Sequence, residues 1–171
     1  GANPVLPRRM NRNVRAFITL YGSDFPFIDP RDLPQQTIDV VTLVDTQSLV
    51  TLKGMNSRTK IRVFDHHPRR KGTPKQWEMN ASDTGATTTY FVDLLQDNNE
   101  SLSAIQATLL LLGIYEDTGS LSYASTTPQD VRAAAWLLEQ GASLRIAAEF
   151  LNPPLSADQR ETYDRLVASA E

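Results

Sequence analysis

Two short β-rich runs each stop at an aspartate, and this pair limits the folds open to the chain more than any other feature. Ile38-Asp39-Val40-Val41-Thr42-Leu43-Val44 is nearly continuous in apolar residues and ends at Asp45. Ile61-Arg62-Val63-Phe64 is shorter and ends at Asp65, with His66 and His67 directly behind it. Runs of this kind are typical of buried strands in a parallel sheet.

Helical signals surround them. Val14, Phe17, Ile18 and Tyr21 fall on one face of a helix over residues 11–21. The Pro- and Asp-rich stretch 22–34 reads as a loop. Ser82-Asp83-Thr84 offers capping groups to a helix over 85–96. Residues 104–115 are apolar nearly all round, which predicts a buried helix that delivers Glu116 and Asp117 ahead of Thr118-Gly119-Ser120. Leu121-Ser122-Tyr123 reads as a short edge strand. Thr127, Pro128 and Gly141 frame the next helix, and Ser143 opens another that stops at Asn152-Pro153-Pro154. Ser156 with Gln159 forms a capping box for the last helix. The expected fold is α/β, a parallel β-sheet flanked by helices with a helical C-terminal tail. The α/β domain is expected over residues 1–142, and residues 143–171 form the tail or the start of a linker to a further domain.

Composition removes several classes of function. The 171 residues carry a net charge of -3, so nucleic-acid binding needs local patches rather than overall charge. With no cysteine there is no disulfide framework, thiolate nucleophile or Cys-type zinc site. No apolar run reaches membrane-spanning length, and Gly1-Ala2-Asn3-Pro4 does not open a signal peptide. A cytoplasmic protein with no membrane partner is expected.

In open parallel sheets ligands bind beyond the carboxyl ends of the strands, so Asp45 and Asp65 are expected in one crevice, within reach of Asp117. Grouped carboxylates repel one another unless a cation lies between them. An Asp and His donor set suits Mn²⁺, Zn²⁺ or Fe²⁺ better than Ca²⁺. Adjacent histidines diverge on a strand or at a helix start, so one is expected to ligate while the other contacts substrate or a carboxylate. Arg69, Arg70, Lys71 and Lys75 either hold phosphate oxygens or form a solvated face. Each feature alone has an ordinary reading as a cap, a turn or an exposed residue. Their joint pattern points to a metal or phosphate site.

"VFDHHP", the preceding "VDTQ" and the later "GIYEDTGSLSYASTTPQDVRAAAWLLEQGAS" resemble the DHH phosphoesterases, over about residues 38–142. That family includes the RecJ exonucleases, oligoribonucleases, cyclic-dinucleotide phosphodiesterases and family II pyrophosphatases. The resemblance implies hydrolysis of a phosphodiester or small nucleotide by a two-metal site, with Mn²⁺ (or Mg²⁺) lowering the pKa of the attacking water. It implies Asp45, Asp65, His66 and Asp117 as metal ligands and His67 as the histidine that positions phosphate or a ligand carboxylate. The segment 82–88, with Thr84 and Gly85, resembles the one whose helix N-terminus lies near the site. Its amides either face an anion or simply cap the helix.

The family's first motif, a strand followed by His-x-Asp-x-Asp, is not in the sequence. Both histidines are used at 66 and 67, and there is no Asp-x-Asp. The Gly-rich second domain is missing as well. The chain therefore resembles an internal fragment with an incomplete metal site and weak or no activity by itself. The opening "GANPVLPRRMNRNVRAFITLYG" resembles a subgroup in which the DHH module precedes CBS domains and a poly(A) polymerase or CCA-adding nucleotidyltransferase. The alternative function is thus an accessory nucleotide- or RNA-binding module without turnover. Arg8, Arg9, Arg12 and Arg15 offer either an RNA-backbone contact or a solvated helix face. Expected partners are a phosphorylated small molecule or RNA, and a homodimer is left open.

Overall fold

The computed structural model describes residues 2–7, 10–153 and 155–169. Its order is α1 (Arg12–Tyr21), a 3₁₀ turn (Gly22–Asp24), β1 (Val40–Val44), β2 (Lys60–Asp65), β3 (Glu78–Ala81), α2 (Thr87–Asp97), α3 (Ala104–Thr118), α4 (Pro128–Glu139), α5 (Leu144–Leu151) and α6 (Ala157–Ala168). The fold is α/β with a helical C-terminal tail, as the sequence predicts. Among the described residues no helix is long and apolar enough to cross a membrane.

The strands form one parallel sheet in the order β1-β2-β3. Val44 pairs with Phe64, and Asp65 with Ala81, so the ends of β1 and β2 lie side by side. Burial along β1 alternates: Val41 and Leu43 are buried while Val40, Thr42 and Val44 are exposed. The near-continuous apolar run is therefore a strand covered on one face. Ile38, Leu52, Met55 and Trp77 cover that face, packing on Val41, Leu43, Ile61 and Val63. β3 is absent from the sequence reading because Glu-Met-Asn-Ala carries little β preference. It forms because the paired edge of β2 templates it.

The helical layer is organised around α3. Leu111, Ile114 and Ala107 pack on Val92 of α2 and on Ala133, Ala134 and Leu137 of α4. Leu112 turns to the other side and meets Phe17 of α1 and Phe150 of α5. Each fully buried Val, Leu, Ile or Phe side chain of this set contributes roughly 1.5–3 kcal/mol. Sheet and helices meet where Phe64 stacks near Tyr90 and Phe91, with ring centroids 5.5 and 5.3 Å away.

Three local expectations change. α2 begins at Thr87 with Ala86 as its N-cap and no side-chain cap, because the Thr84 hydroxyl donates to the Ala86 carbonyl instead. α3 runs on through Glu116, Asp117 and Thr118 and is closed by Gly119 in the left-handed region at φ 56°. Leu121-Ser122-Tyr123 is a turn: the Ser122 and Tyr123 amides both donate to the Thr118 carbonyl, so no strand forms. The Thr127 and Ser143 caps and the Ser156 capping box are as read, and Thr127 forms a capping box with Asp130 as well. Arg8, Arg9 and Pro154 lie outside the described residues.

Candidate metal centre at the ends of β1 and β2

Asp45 directly follows β1 and adopts φ 56°, a left-handed conformation that aspartate tolerates better than most residues. Its amide donates to the Phe64 carbonyl at 2.8 Å, which continues the ladder by one bond. Its Oδ1 accepts from the Thr87 hydroxyl at 2.8 Å.

Asp65 ends β2 and is buried at 3% exposure, yet it is ringed by donors. Oδ1 accepts from the His67 amide at 3.0 Å and lies 2.8 Å from His67 Nδ1, and Oδ2 accepts from Gln47 Nε2 at 3.0 Å. Burial pushes this carboxyl up, but the bonds from His67 and Gln47 together outweigh it and hold the group below the ordinary carboxylate value.

The chain bends immediately after β2, so the alternation of a strand no longer separates His66 from His67. Their rings lie 4.1 Å apart in an edge-on arrangement, and both approach Asp45. Their roles nevertheless differ. His66 is mostly buried, and its Nδ1 lies 3.3 Å from the Thr84 carbonyl. A carbonyl only accepts, so Nδ1 carries the proton and Nε2 presents a lone pair. That Nε2 is buried, has no hydrogen-bond partner and lies 3.6 Å from Asp45 Oδ1. His67 is 57% exposed, and the Asp65 carboxylate holds the proton on its Nδ1.

Asp45, Asp65, His66 and His67 each bring one donor atom into a group in which all atoms lie within 4.8 Å of one another. Asp117, in the last turn of α3, is not a member of that group but stands in its field. Burial, and then the Asp45 charge, raise its carboxyl to about 6, while His66 and His67 oppose the shift. A carboxylate at the C-terminal end of a helix also faces the unfavourable end of the helix dipole. These penalties are what a bound cation would relieve, and the oxygen–nitrogen donor set fits a divalent metal.

The remaining sequence candidates lie around this centre. The Arg69 guanidinium is tied to the Thr73 and Pro74 carbonyls. Arg70 is exposed, with its guanidinium 3.4 Å from the Ser48 hydroxyl. Thr84 and Gly85 are buried behind His66: the Thr84 carbonyl serves the His66 ring, and the Gly85 amide donates to Asp130 Oδ2 at 2.9 Å.

Three residues of the site escaped the sequence reading. Gln47 uses its whole hydrogen-bonding capacity, donating to Asp65 and the Pro68 carbonyl and accepting from the Arg70 amide and the Thr73 hydroxyl. Thr87 bonds both Asp45 and the His66 amide. Asp130, wholly buried, accepts from Gly85, Thr89 and Thr127. Burial raises its carboxyl, and the bonds from Thr89, Thr127 and Gly85 more than reverse this. Only Asp130 had a visible signal, since Thr127-Pro128-Gln129-Asp130 is itself a capping-box pattern.

Fold and site together define a parallel-sheet α/β domain with a carboxylate–imidazole cluster at the carboxyl edge of its sheet. Comparison with known proteins sets two likenesses beside that description. Over 158 residues, or 90% of its length, the chain is 35% identical to an A-adding tRNA nucleotidyltransferase of Geobacter sulfurreducens, of which it covers 18%. It is 35% identical over 165 residues to an A-adding tRNA nucleotidyltransferase of Aquifex aeolicus, covering 96% of this chain and 19% of that protein. The chain thus spans less than a fifth of the length of these curated relatives. Among solved structures it is similar to a Methanococcus jannaschii protein described as a family II inorganic pyrophosphatase, with TM-score 0.64 and 21% identity over 88% of this chain and 52% of that one. It is also similar to an exopolyphosphatase-related protein from Bacteroides fragilis, with TM-score 0.70 and 14% identity over 97% of this chain and 51% of that one. At these identities the structural likeness is one of fold. No family model matches the chain.

Proposed function

We propose that this chain is a divalent-metal-dependent phosphoesterase-type domain, with Mn²⁺ as the ion its donors suit best and Mg²⁺ as the alternative. The observation that carries this reading is His66 Nε2, a buried lone pair with no partner, aimed at Asp45. An unsatisfied buried nitrogen costs on the order of 1–3 kcal/mol, and a metal ion removes that cost. The ligand set we assign is Asp45, Asp65 and His66 from the cluster, with Asp117, which stands outside it, as the fourth. When bound, the ion activates water and offsets charge on a phosphoryl group. The chain's own residues prepare the place for it. Thr84 keeps His66 in the tautomer that leaves Nε2 bare. Asp65 takes the His67 Nδ1 hydrogen bond and fixes the ring, whose Nε2, when protonated, donates to a phosphoryl oxygen. Arg70 offers a positive charge to the same oxygens, and the likeness in fold to the pyrophosphatase and exopolyphosphatase-related structures supports the assignment.

Mn²⁺ titration by calorimetry on wild type, His66→Ala and Asp65→Ala tests the reading. Binding in the wild type that weakens tenfold or more in His66→Ala is expected. A wild type that takes up no divalent ion at millimolar concentration overturns it.

A second reading rests on the identity to A-adding tRNA nucleotidyltransferases across nearly the whole chain. In that reading the chain is an accessory module of such an enzyme and contacts RNA without turnover. Arg12 and Arg15, exposed on α1, are its candidate contacts. α1 reaches the C-terminal end of α3, where Asn13 donates to Glu116, the neighbour of Asp117, at 2.7 Å. This reading predicts salt-dependent tRNA binding that weakens when both arginines are replaced by Gln. Unchanged binding overturns it.

A further inference from the structure

We propose that Thr87 is a positioning residue that sets Asp45 and His66 as a pair, and that buried Asp130 anchors the turn from which it works. The inference rests on the metal reading above. Thr87 is the first residue of α2 and is only 2% exposed. An N-cap threonine turns its hydroxyl back to the helix's own amides, but Thr87 stands one position later, behind the Ala86 N-cap. Here both hydrogen bonds leave the helix. The hydroxyl donates to Asp45 Oδ1 at 2.8 Å and accepts from the His66 amide at 3.1 Å. One oxygen thus spans the two strand ends and holds the aspartate of one against the histidine of the other.

This bridge matters most for Asp45. Its side chain is 43% exposed, and the Thr87 hydroxyl is what directs its Oδ1 toward His66 Nε2. His66 is held twice by the same turn, its amide by Thr87 and its ring by the Thr84 carbonyl.

The turn itself is tied to α4. Asp130 accepts from the Gly85 amide at 2.9 Å and from the Thr89 hydroxyl at 2.5 Å, so its carboxylate brackets Thr87 from both sides in sequence. The fit leaves no slack: a Cβ on Gly85 would lie 2.7 Å from Asp130 Oδ2 and 3.0 Å from the Ser125 carbonyl. α4 thereby communicates with the strand ends through a fully buried carboxylate.

The test compares wild type, Thr87→Val and Thr87→Ser. Mn²⁺ affinity is read by calorimetry and folding stability by urea unfolding of the metal-free protein. Thr87→Val keeps the shape and removes the hydroxyl, so Mn²⁺ binding is expected to weaken about tenfold or more. Thr87→Ser restores the hydroxyl and is expected to bind within about threefold of wild type. Thr87→Ala makes the same comparison if valine disturbs folding. A hydroxyl with a merely structural role would lower the urea midpoint and leave Mn²⁺ affinity alone. That result, with the wild type binding normally, overturns the positioning role and leaves the metal reading standing. No Mn²⁺ binding by the wild type overturns both.

Discussion

The Gln47 side-chain amide donates to Asp65 Oδ2 at 3.0 Å, and both groups are buried. The same amide holds the Pro68 carbonyl, the Arg70 amide and the Thr73 hydroxyl, so one side chain ties the end of β2 to the loop that follows. Gln47→Leu strands these groups together. The expected loss is about 1–3 kcal/mol, seen as a lower urea midpoint at unchanged slope. A midpoint equal to wild type shows that water replaces the amide.

Asp117 sets a pH dependence whose sign follows from its raised carboxyl, near 6 against an ordinary 3.8. The folded, metal-free protein binds this proton more tightly than the unfolded chain. Its stabilising contribution is complete below about pH 4 and is lost as pH rises through about 6. Asp117→Asn stays neutral throughout. Metal-free Asp117→Asn should therefore gain stability over wild type between pH 4 and pH 7, measured by urea unfolding at both. A constant difference refutes the shift.

Asp130 runs in the opposite sense. Its carboxyl lies below the ordinary value, because four bonds from Thr89, Thr127 and Gly85 outweigh its burial. Its contribution is present above the ordinary carboxylate range and is lost as pH falls through the lowered value. Asp130→Asn turns an amide donor toward groups that already donate, and a loss of about 3 kcal/mol is expected at neutral pH. The gap between variant and wild type should narrow in acid, which thermal unfolding at pH 7 and pH 3 reads directly.

Gly119 closes α3 two residues after Asp117. At φ 56°, a Cβ there would lie 2.3 Å from the Tyr123 ring. Gly119→Ala is expected to lower the melting temperature by several degrees, equivalent to about 1–3 kcal/mol. An unchanged melting temperature means that Tyr123 swings away without penalty.

Much of this architecture is legible locally. β-branched runs that stop at an acid specify β1 and β2, since strand preference and the change to a polar residue act within a few positions. Thr127, Ser143 and Ser156 specify helix starts for the same reason: a cap is a bond between near neighbours. The candidate ligands Asp45, Asp65 and His66, and His67 beside them, were visible because carboxylates and imidazoles at strand ends have few structural uses in such numbers.

What stayed hidden depends on partners far apart in the chain. β3 has weak propensity and exists because β2 offers it an edge. The two histidines were expected to diverge, yet a bend at the end of β2 turns both rings toward Asp45, and Asp65 draws His67 back. Thr87 is one of three consecutive threonines, and nothing nearby marks it out. Its bond to Asp45 spans 42 residues and the link from Asp130 to Gly85 spans 45. Local chemistry wrote the elements and the reactive side chains. Which lone pairs are left bare, and which hydroxyl holds their residues together, was decided by how the sheet and the helices meet, because a buried polar group is defined by whatever packing brings within 3 Å of it.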